Sequence, residues 1–283
     1  MGCAIGGQAV IEGVMMKLDE NIATSVRLED GSIKTKKEKM RKVKSFLRAP
    51  FVRGVVNLAQ MLYLGIKELT WSANQQSEEE EDKLSSKEIF WVIFVSLGLA
   101  VLLFIVAPFF LTTLLTSNKS YVFNIIDGAL RVVIFVVYIL VISKFSDVKV
   151  LFQYHGAEHK TINCYEDGKK LTVDNVRRYS TLHPRCGTAF ILIVLFISII
   201  VFSLIITESW IARLVSRIVL IPVIAGVSYE ILKWSAKYNG NAFVQAIVWP
   251  GLMLQKITTK EPDDDQIEVG IKSAQAVLDM KSS

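Results

Sequence analysis

The chain has 283 residues, of which 52% are hydrophobic and only 21% are charged, and its mean hydropathy of +0.41 is too high for a soluble domain of this length. Three cysteines in so long a chain cannot supply a disulfide framework, which excludes a small secreted scaffold. The net charge of +5 is typical of basic loops on the cytoplasmic side of a membrane and predicts no nucleic-acid partner. The composition therefore predicts an integral membrane protein whose partner is the lipid bilayer.

Residues 1–50 are predicted to form a cytoplasmic segment. The chain alternates between apolar and polar residues over 22–33 around Asp30-Gly31, which predicts a β-hairpin with a type I′ turn. Ahead of it, the glycines of residues 6–13 permit a close backbone approach to the rest of the molecule. That segment either brings Glu12 to a functional site or leaves it as an ordinary surface acid.

Residues 51–76 predict an amphipathic helix that lies in the membrane interface or against a helical bundle. Arg53 and Lys67 fall on one helical stripe, while Phe51 and Leu62 fall on another. Residues 77–87 follow with an acidic run, which predicts a solvated linker.

Four apolar segments predict transmembrane helices, and four spans place both termini on one side of the membrane. The first two spans lie within residues 88–143 and the last two within residues 188–235, with limits near 89–115, 122–143, 188–207 and 210–232.

The distribution of basic residues predicts which side that is. Nine Lys and Arg residues fall in 27–48 and eight in 144–186, whereas 116–121 holds only Lys119. Because basic loops stay in the cytoplasm, both termini and the loop over residues 144–187 are predicted to be cytoplasmic, in a multi-pass protein of the cell membrane.

Residues 236–283 predict an interfacial segment followed by a cytoplasmic helix. The apolar stretch 242–254 is too short to cross and is broken by Pro250-Gly251, so we expect an interfacial or re-entrant piece. Residues 262–266 supply an N-cap, acids for the first turn and a capping-box partner for a helix that runs to about Met280.

All three histidines of the chain lie in the loop between the second and third spans. His155 and His159 are four residues apart, so on a helix continuing inward from the second span their rings share one face. With Glu158 they form the H-x-x-E-H pattern, in which two imidazoles hold Zn²⁺ and the carboxylate acts as general base. The pattern predicts a metal site with Glu158 as the catalytic acid/base.

His183 and Cys186 are predicted to complete that metal site. They are three residues apart, with Pro184 fixing a turn between them. Four protein ligands are typical of a structural zinc site, whereas three ligands and a water are typical of a catalytic one, and the sequence leaves both open. The alternative for each histidine alone is a hydrogen-bonded loop residue, and Cys164 is predicted to be a small buried hydrophobe.

Charged residues inside the predicted spans need partners, because a charge in the bilayer costs at least about 2.5 kcal/mol. Asp127 is expected to pair with Arg213 or Arg217, which lie at a similar depth. Glu230 lies at the cytoplasmic end of the fourth span. It is either a carboxylate that binds or supports the metal, or a helix-pairing acid near Lys233.

Several sequence strings resemble the YqhQ-like family of bacterial membrane proteins. They are GGQAVIEGVMMK at 6–17, YHGAEHKTINCYE at 154–166, HPRCGTAF at 183–190 and TTKEPDDDQIEVGI at 258–271. That family is described as predicted metal-dependent enzymes of unknown function. The resemblance implies a membrane protein with a metal site at His155, Glu158, His159 and His183, and it implies no substrate.

The fold class predicted is an all-α integral membrane protein with four transmembrane helices, further amphipathic or interfacial helices and a small N-terminal β-hairpin. Three functions remain open. The first is a zinc-dependent hydrolase at the cytoplasmic face, acting on a peptide or lipid-derived substrate. The others are a transporter or channel with a metal-binding site, and a non-catalytic scaffold with a structural zinc. The oligomeric state is left open.

Overall fold

The N-terminal residues form a four-stranded antiparallel sheet in a computed structural model of the protein. The structure describes residues 5–41, 43, 44, 47, 49–77, 85–116, 121–205, 207, 209–238 and 241–282. The strands are β1 (Gly6–Val10), β2 (Gly13–Leu18), β3 (Asn21–Arg27) and β4 (Ile33–Lys39), and they pair in chain order. The predicted hairpin is therefore β3 and β4, extended by two further strands.

The predicted type I′ turn between β3 and β4 is wrong. Arg27 pairs with Ile33, and the five residues between them close through a hydrogen bond from the Gly31 N–H to the Leu28 carbonyl at 2.9 Å. Of the turn residues only Gly31 has a positive φ, at 81°, whereas a type I′ turn needs two such residues. The Leu28 N–H donates to the Ser32 carbonyl at 2.9 Å, which leaves a three-residue loop of Glu29, Asp30 and Gly31 in place of the predicted two-residue turn.

Two helices cover one face of the sheet: α5 (Ser146–Glu166) and α11 (Asp264–Ser282). The core between them contains Val14 and Met16 from the sheet, Tyr154 and Ile162 from α5, and Val277 from α11. The predicted start of α11 is confirmed, because Asp263 Oδ1 accepts a hydrogen bond from the Gln266 N–H at 2.8 Å and Gln266 Oε1 accepts one from the Asp263 N–H at 3.1 Å. The two ends of the chain thus share one hydrophobic core.

The predicted amphipathic helix is α1 (Val52–Gln75), and its inner face contains an acid. Leu62 on the predicted apolar stripe is 58% exposed, whereas Glu68 is fully buried. Glu68 accepts hydrogen bonds from Thr24 Oγ1 at 2.7 Å and from Lys36 Nζ at 2.9 Å. A buried, paired carboxylate therefore joins α1 to the sheet.

Two helical stretches are long and apolar enough to cross a membrane. One is the continuous run Ser86–Leu115, formed by α2 (Ser86–Val101), a π-helical turn (Leu102–Val106) and α3 (Ala107–Leu115); the other is α4 (Tyr121–Ile142). The capping box of Ser85 and Glu88 starts α2 inside the predicted linker, whose residues 78–84 lie outside the described ones.

The remaining apolar helices are shorter or bent. With 17 residues, α7 (Gly187–Ser203) is about 25 Å long, less than the ~30 Å hydrocarbon layer. The helices α8 (Trp210–Val219) and α9 (Ile221–Lys237) meet at 45°, where Pro222 lacks the N–H that a continuous helix needs. Within the described residues the spanning helices therefore number two, or three if this bent pair is one span; the predicted four are not confirmed.

The predicted break at Pro250-Gly251 is wrong, because α10 (Ala242–Thr258) runs through it. Gly251 has a packing role there, since a Cβ at that position would come within 2.7 Å of the Ala189 Cβ on α7. The two helices therefore pack closely, which compensates for the backbone hydrogen bond that Pro250 removes.

The helical bundle contains buried salt bridges. Asp127 Oδ2 lies 2.8 Å from Arg217 Nη2 and 3.0 Å from Arg131 Nη2, so Arg217 is the partner among the two predicted. The guanidinium of Arg213 lies over the Phe123 ring, 4.5 Å from its centroid. Asp127 is a salt-bridged structural acid of the bundle.

Candidate metal centre

The helix α5 presents His155 and His159 on one face, as their spacing predicts. Their ring centroids are 4.5 Å apart. The helix does not continue from α4 as expected, because Ile142 ends α4 and Phe145 is extended. The predicted loop over residues 144–187 is thus mainly a separate helix that packs on the sheet.

Backbone carbonyls fix the orientation of both rings. His155 Nδ1 lies 2.9 Å from the Thr258 carbonyl oxygen, and His159 Nδ1 lies 2.6 Å from the Thr181 carbonyl oxygen. Because a carbonyl only accepts, each Nδ1 carries the proton and each Nε2 keeps a free lone pair. This is the arrangement in which proteins hold metal-binding histidines.

Cys186 supplies the third ligand atom. It is the N-cap residue of α7, and its Sγ lies 3.3 Å from His155 Nε2. One ligand atom from each of His155, His159 and Cys186 falls within 4.8 Å of the others. Tetrahedral Zn²⁺ with Zn–N near 2.0 Å and Zn–S near 2.3 Å separates its ligands by roughly 3.5 Å, so the donor set fits zinc.

His183 is not among the ligand atoms that fall within 4.8 Å of one another, although its ring centroid lies 5.7 Å from that of His159. Its Nε2 lies 3.5 Å from Glu166 Oε2, and its Nδ1 accepts the Arg185 N–H at 3.3 Å. Gln255 on α10 holds the His183 backbone with two hydrogen bonds of 2.9 Å. Sequence reasoning missed Gln255, whose only signal is a polar side chain in an apolar segment.

Glu158 lies on the same face of α5 and is 5% exposed. The Gly7 N–H donates to its carboxylate, while Oε2 has no hydrogen-bond partner among the described residues. Burial raises the pKa of Glu158 to about 8, although the nearby His155 opposes the shift. A Cβ on Gly7 would come within 2.4 Å of the Met15 carbonyl oxygen and 3.1 Å of Glu158 Cγ, so a glycine is needed there.

Glu12 does not join the ligand atoms. It lies in the turn between β1 and β2 with a φ of 48°, and its Oε2 accepts the Tyr154 hydroxyl at 3.1 Å. Tyr154 lies one turn before Glu158 on α5, and burial raises its pKa. Glu12 therefore holds α5 against the sheet, and Gly7 is the N-terminal residue that reaches the centre.

Glu230 also has another role than the one predicted at the metal. Its Oε1 accepts from Arg53 Nε at 2.7 Å and from the Phe51 N–H at 3.2 Å, and its Oε2 is bound by Arg53 Nη2. These contacts tie the start of α1 to α9. Glu230 is thus a helix-pairing acid, as the alternative prediction held. Its partner Arg53 is 177 residues away in sequence, and the sequence pattern indicated only the nearby Lys233.

Burial keeps two histidines at the candidate metal centre in their neutral form. Burial lowers the pKa of His159 to about 2 and that of His183 to about 4, so both imidazoles are neutral at pH 7. Neutral imidazole is the form that binds a metal ion. Cys164 is fully buried beside Val176 and Ile267, away from the ligand atoms.

Comparison with known proteins gives one family and one relative. A sequence model of the family described as "Protein of unknown function (DUF1385)" matches residues 49–280. The "Uncharacterized protein YqhQ" of Bacillus subtilis (strain 168) is 34% identical over 299 aligned positions, which cover 99% of this chain and 93% of the relative. No solved structure matches the chain.

Proposed function

The chain belongs to the DUF1385 family, and we propose that it is a zinc-dependent hydrolase at the cytoplasmic face of the cell membrane. His155, His159 and Cys186 hold the metal, and Glu158 is the general base. The observation that carries this proposal is the set of three convergent ligand atoms beside a buried carboxylate with a free oxygen.

The number of ligands favours a catalytic site over a structural one. Structural zinc sites close the tetrahedron with four protein ligands, and catalytic sites keep one position open. The fourth candidate, His183, is directed at Glu166 and held by Gln255, which leaves three ligands. Zn²⁺ in such a site supplies a Lewis acid that acidifies water and polarises the scissile group.

Glu158 moves the proton in the proposed reaction. Burial keeps Glu158 largely protonated at pH 7 in the metal-free protein, and Zn²⁺ held beside it would lower this pKa and leave the carboxylate ionised. The free carboxylate oxygen then takes a proton from water, and the water oxygen bonds to the electrophilic carbon or phosphorus of the substrate. The bond to the leaving group then breaks, and protonated Glu158 returns the proton to that group. One oxygen of the product therefore comes from water.

The two alternative functions, a structural scaffold and a transporter, require features that the geometry does not favour. A structural scaffold needs a fourth protein ligand, and the described residues offer three in reach of one another. A transporter needs a polar path through the bundle, yet α7 carries no charged side chain, and Asp127 of α4 is held in salt bridges by Arg131 and Arg217.

The proposed topology has four spans with both termini in the cytoplasm. The contact of α11 with the sheet supports it, because termini that pack together lie on one side and require an even number of crossings. The basic residues of 27–48 and 144–186 support the cytoplasmic side. A cysteine at Lys169 should then resist an impermeant thiol reagent in intact cells while one at Lys119 reacts; the reverse pattern would invert the topology.

Isotope labelling tests the hydrolase directly. The purified full chain is incubated with a total membrane extract in water enriched in ¹⁸O, and products carrying one ¹⁸O are identified by mass spectrometry. The wild type should generate such products, Glu158→Gln should not while keeping its zinc, and Glu29→Gln in the exposed β3–β4 turn should match the wild type. Absence of bound zinc, absence of labelled products, or equal labelling by Glu158→Gln would each reject the proposal.

A further inference from the structure

An apolar cavity of about 380 Å³ lies between α7, α9 and α10. Its wall includes Ala189, Ile193 and Ile197 on α7 and Pro250 and Gly251 on α10. Every residue that the described part of the chain contributes to this wall is apolar. The volume is within the range of pockets that hold small ligands.

The cavity begins one helical turn from the candidate metal centre. Cys186 precedes α7, and the Ala189 N–H donates to the Cys186 carbonyl at 3.1 Å. On the other wall, α10 continues from Pro250 to Thr258, whose carbonyl orients His155. The same two helices therefore line the cavity and hold the centre. From Cys186 to Ile197 the distance along α7 is about 16 Å.

The chemistry of the wall selects the ligand. An extended peptide would leave its N–H and C=O groups without hydrogen-bond partners among these side chains. A helical peptide of about 10 Å diameter would occupy roughly 900 Å³ over the ~12 Å from Ala189 to Ile197, more than twice the cavity. A single hydrocarbon chain has no polar groups, is flexible and needs far less width.

We propose that this cavity holds one hydrocarbon chain of a membrane lipid, with the polar end of that lipid at His155, His159 and Cys186. The proposal rests on the proposed function and deepens it, because it makes the substrate of the hydrolase lipid-derived and not a peptide. Phe196 lines the cavity and is also 49% exposed on the outer surface of α7, so the chain enters from the surrounding bilayer. An empty cavity would forfeit dispersion contacts that such a chain restores.

Photolabelling in a bilayer tests the occupant. The full chain is reconstituted in vesicles of phosphatidylethanolamine and phosphatidylglycerol that contain a phosphatidylglycerol with a diazirine on one acyl chain. After illumination, mass spectrometry should find the label on the cavity residues Ile193, Ile197 and Pro250. Ile197→Trp fills the cavity and should lower this labelling several-fold. The matched control Ile191→Trp, at an exposed position on another face of α7, should leave it unchanged.

Zinc content, measured on each variant, separates this proposal from the proposed function. If Ile197→Trp removes the labelling but the protein binds no zinc, the result would support a hydrocarbon chain in the cavity and reject the hydrolase. Zinc binding and hydrolysis with equal labelling in Ile197→Trp and Ile191→Trp would show only surrounding lipid and overturn the inference. Ala246→Phe fills the cavity from α10 and replaces Ile197→Trp if that variant does not fold.

Discussion

Two groups of buried polar side chains differ in how their charge is satisfied. In the helical bundle, one oxygen of Asp127 forms salt bridges with both Arg131 and Arg217. At the candidate metal centre, Glu158 forms no salt bridge among the described residues, its Oε2 has no hydrogen-bond partner there, and three potential ligand atoms lie close together. A paired charge stabilises a fold, whereas unpaired groups held in place by the fold are typical of a functional site.

The largest effect is expected from breaking the ion pair of the bundle. Asp127→Asn leaves Arg131 and Arg217 without their buried counter-charge, and removal of one partner of a buried pair costs about 3–5 kcal/mol. Denaturant unfolding in detergent should show this loss. In the double variant Asp127→Asn with Arg217→Gln, the loss of stability should be smaller than the sum of the losses in the two single variants. A loss equal to that sum would mean that Asp127 and Arg217 are not coupled.

Removing a metal ligand is the next largest change. Loss of a hydrogen bond that supports a metal ligand lowers metal affinity by roughly 10–100-fold. His155→Ala removes a proposed ligand itself, so the zinc affinity should fall by more than that. Zinc titration against a chelator measures this affinity. His183→Ala is the matched control, since that ring lies against Glu166, and its zinc affinity should stay within that smaller range. A larger loss for His183→Ala would return that residue to the ligand set.

The zinc-free protein should become less stable as the pH rises from 5 to 9. The pKa of Glu158 is raised by burial from 4.5 to about 8, so the stability that neutral Glu158 contributes is complete below pH 4.5 and lost through pH 8. Thermal unfolding of Glu158→Gln should lack this slope; an unchanged slope would mean that Glu158 is already ionised when buried.

The smallest effect is expected at the junction of α1 and α9. Arg53 and Glu230 are both partly exposed, so Arg53→Gln should cost about 1 kcal/mol or less. Zinc binding should be unchanged, because Glu230 contacts α1 and not the ligand atoms. A loss of zinc in this variant would restore the predicted role of Glu230 at the metal.

Local patterns along the sequence were sufficient for several elements. The four-residue spacing of His155 and His159 sets their common face on α5, and the capping box at Asp263 and Gln266 sets the start of α11. The uncharged run within Ser86–Leu115 likewise determines a helix long enough to span the membrane. Each feature depends on residues within a few turns of one helix, where spacing and composition decide the structure.

Only the tertiary structure decided which polar residues share the metal centre. Gln255 and the carbonyl of Thr258 on α10 fix His183 and His155, and the N-cap position of α7 brings in Cys186. Gly7 reaches Glu158 because β1 packs on α5, more than 140 residues away in sequence. Such contacts depend on how whole helices and strands pack, so the sequence determined the types of candidate ligand, and packing brought three of the four candidates within 4.8 Å of one another.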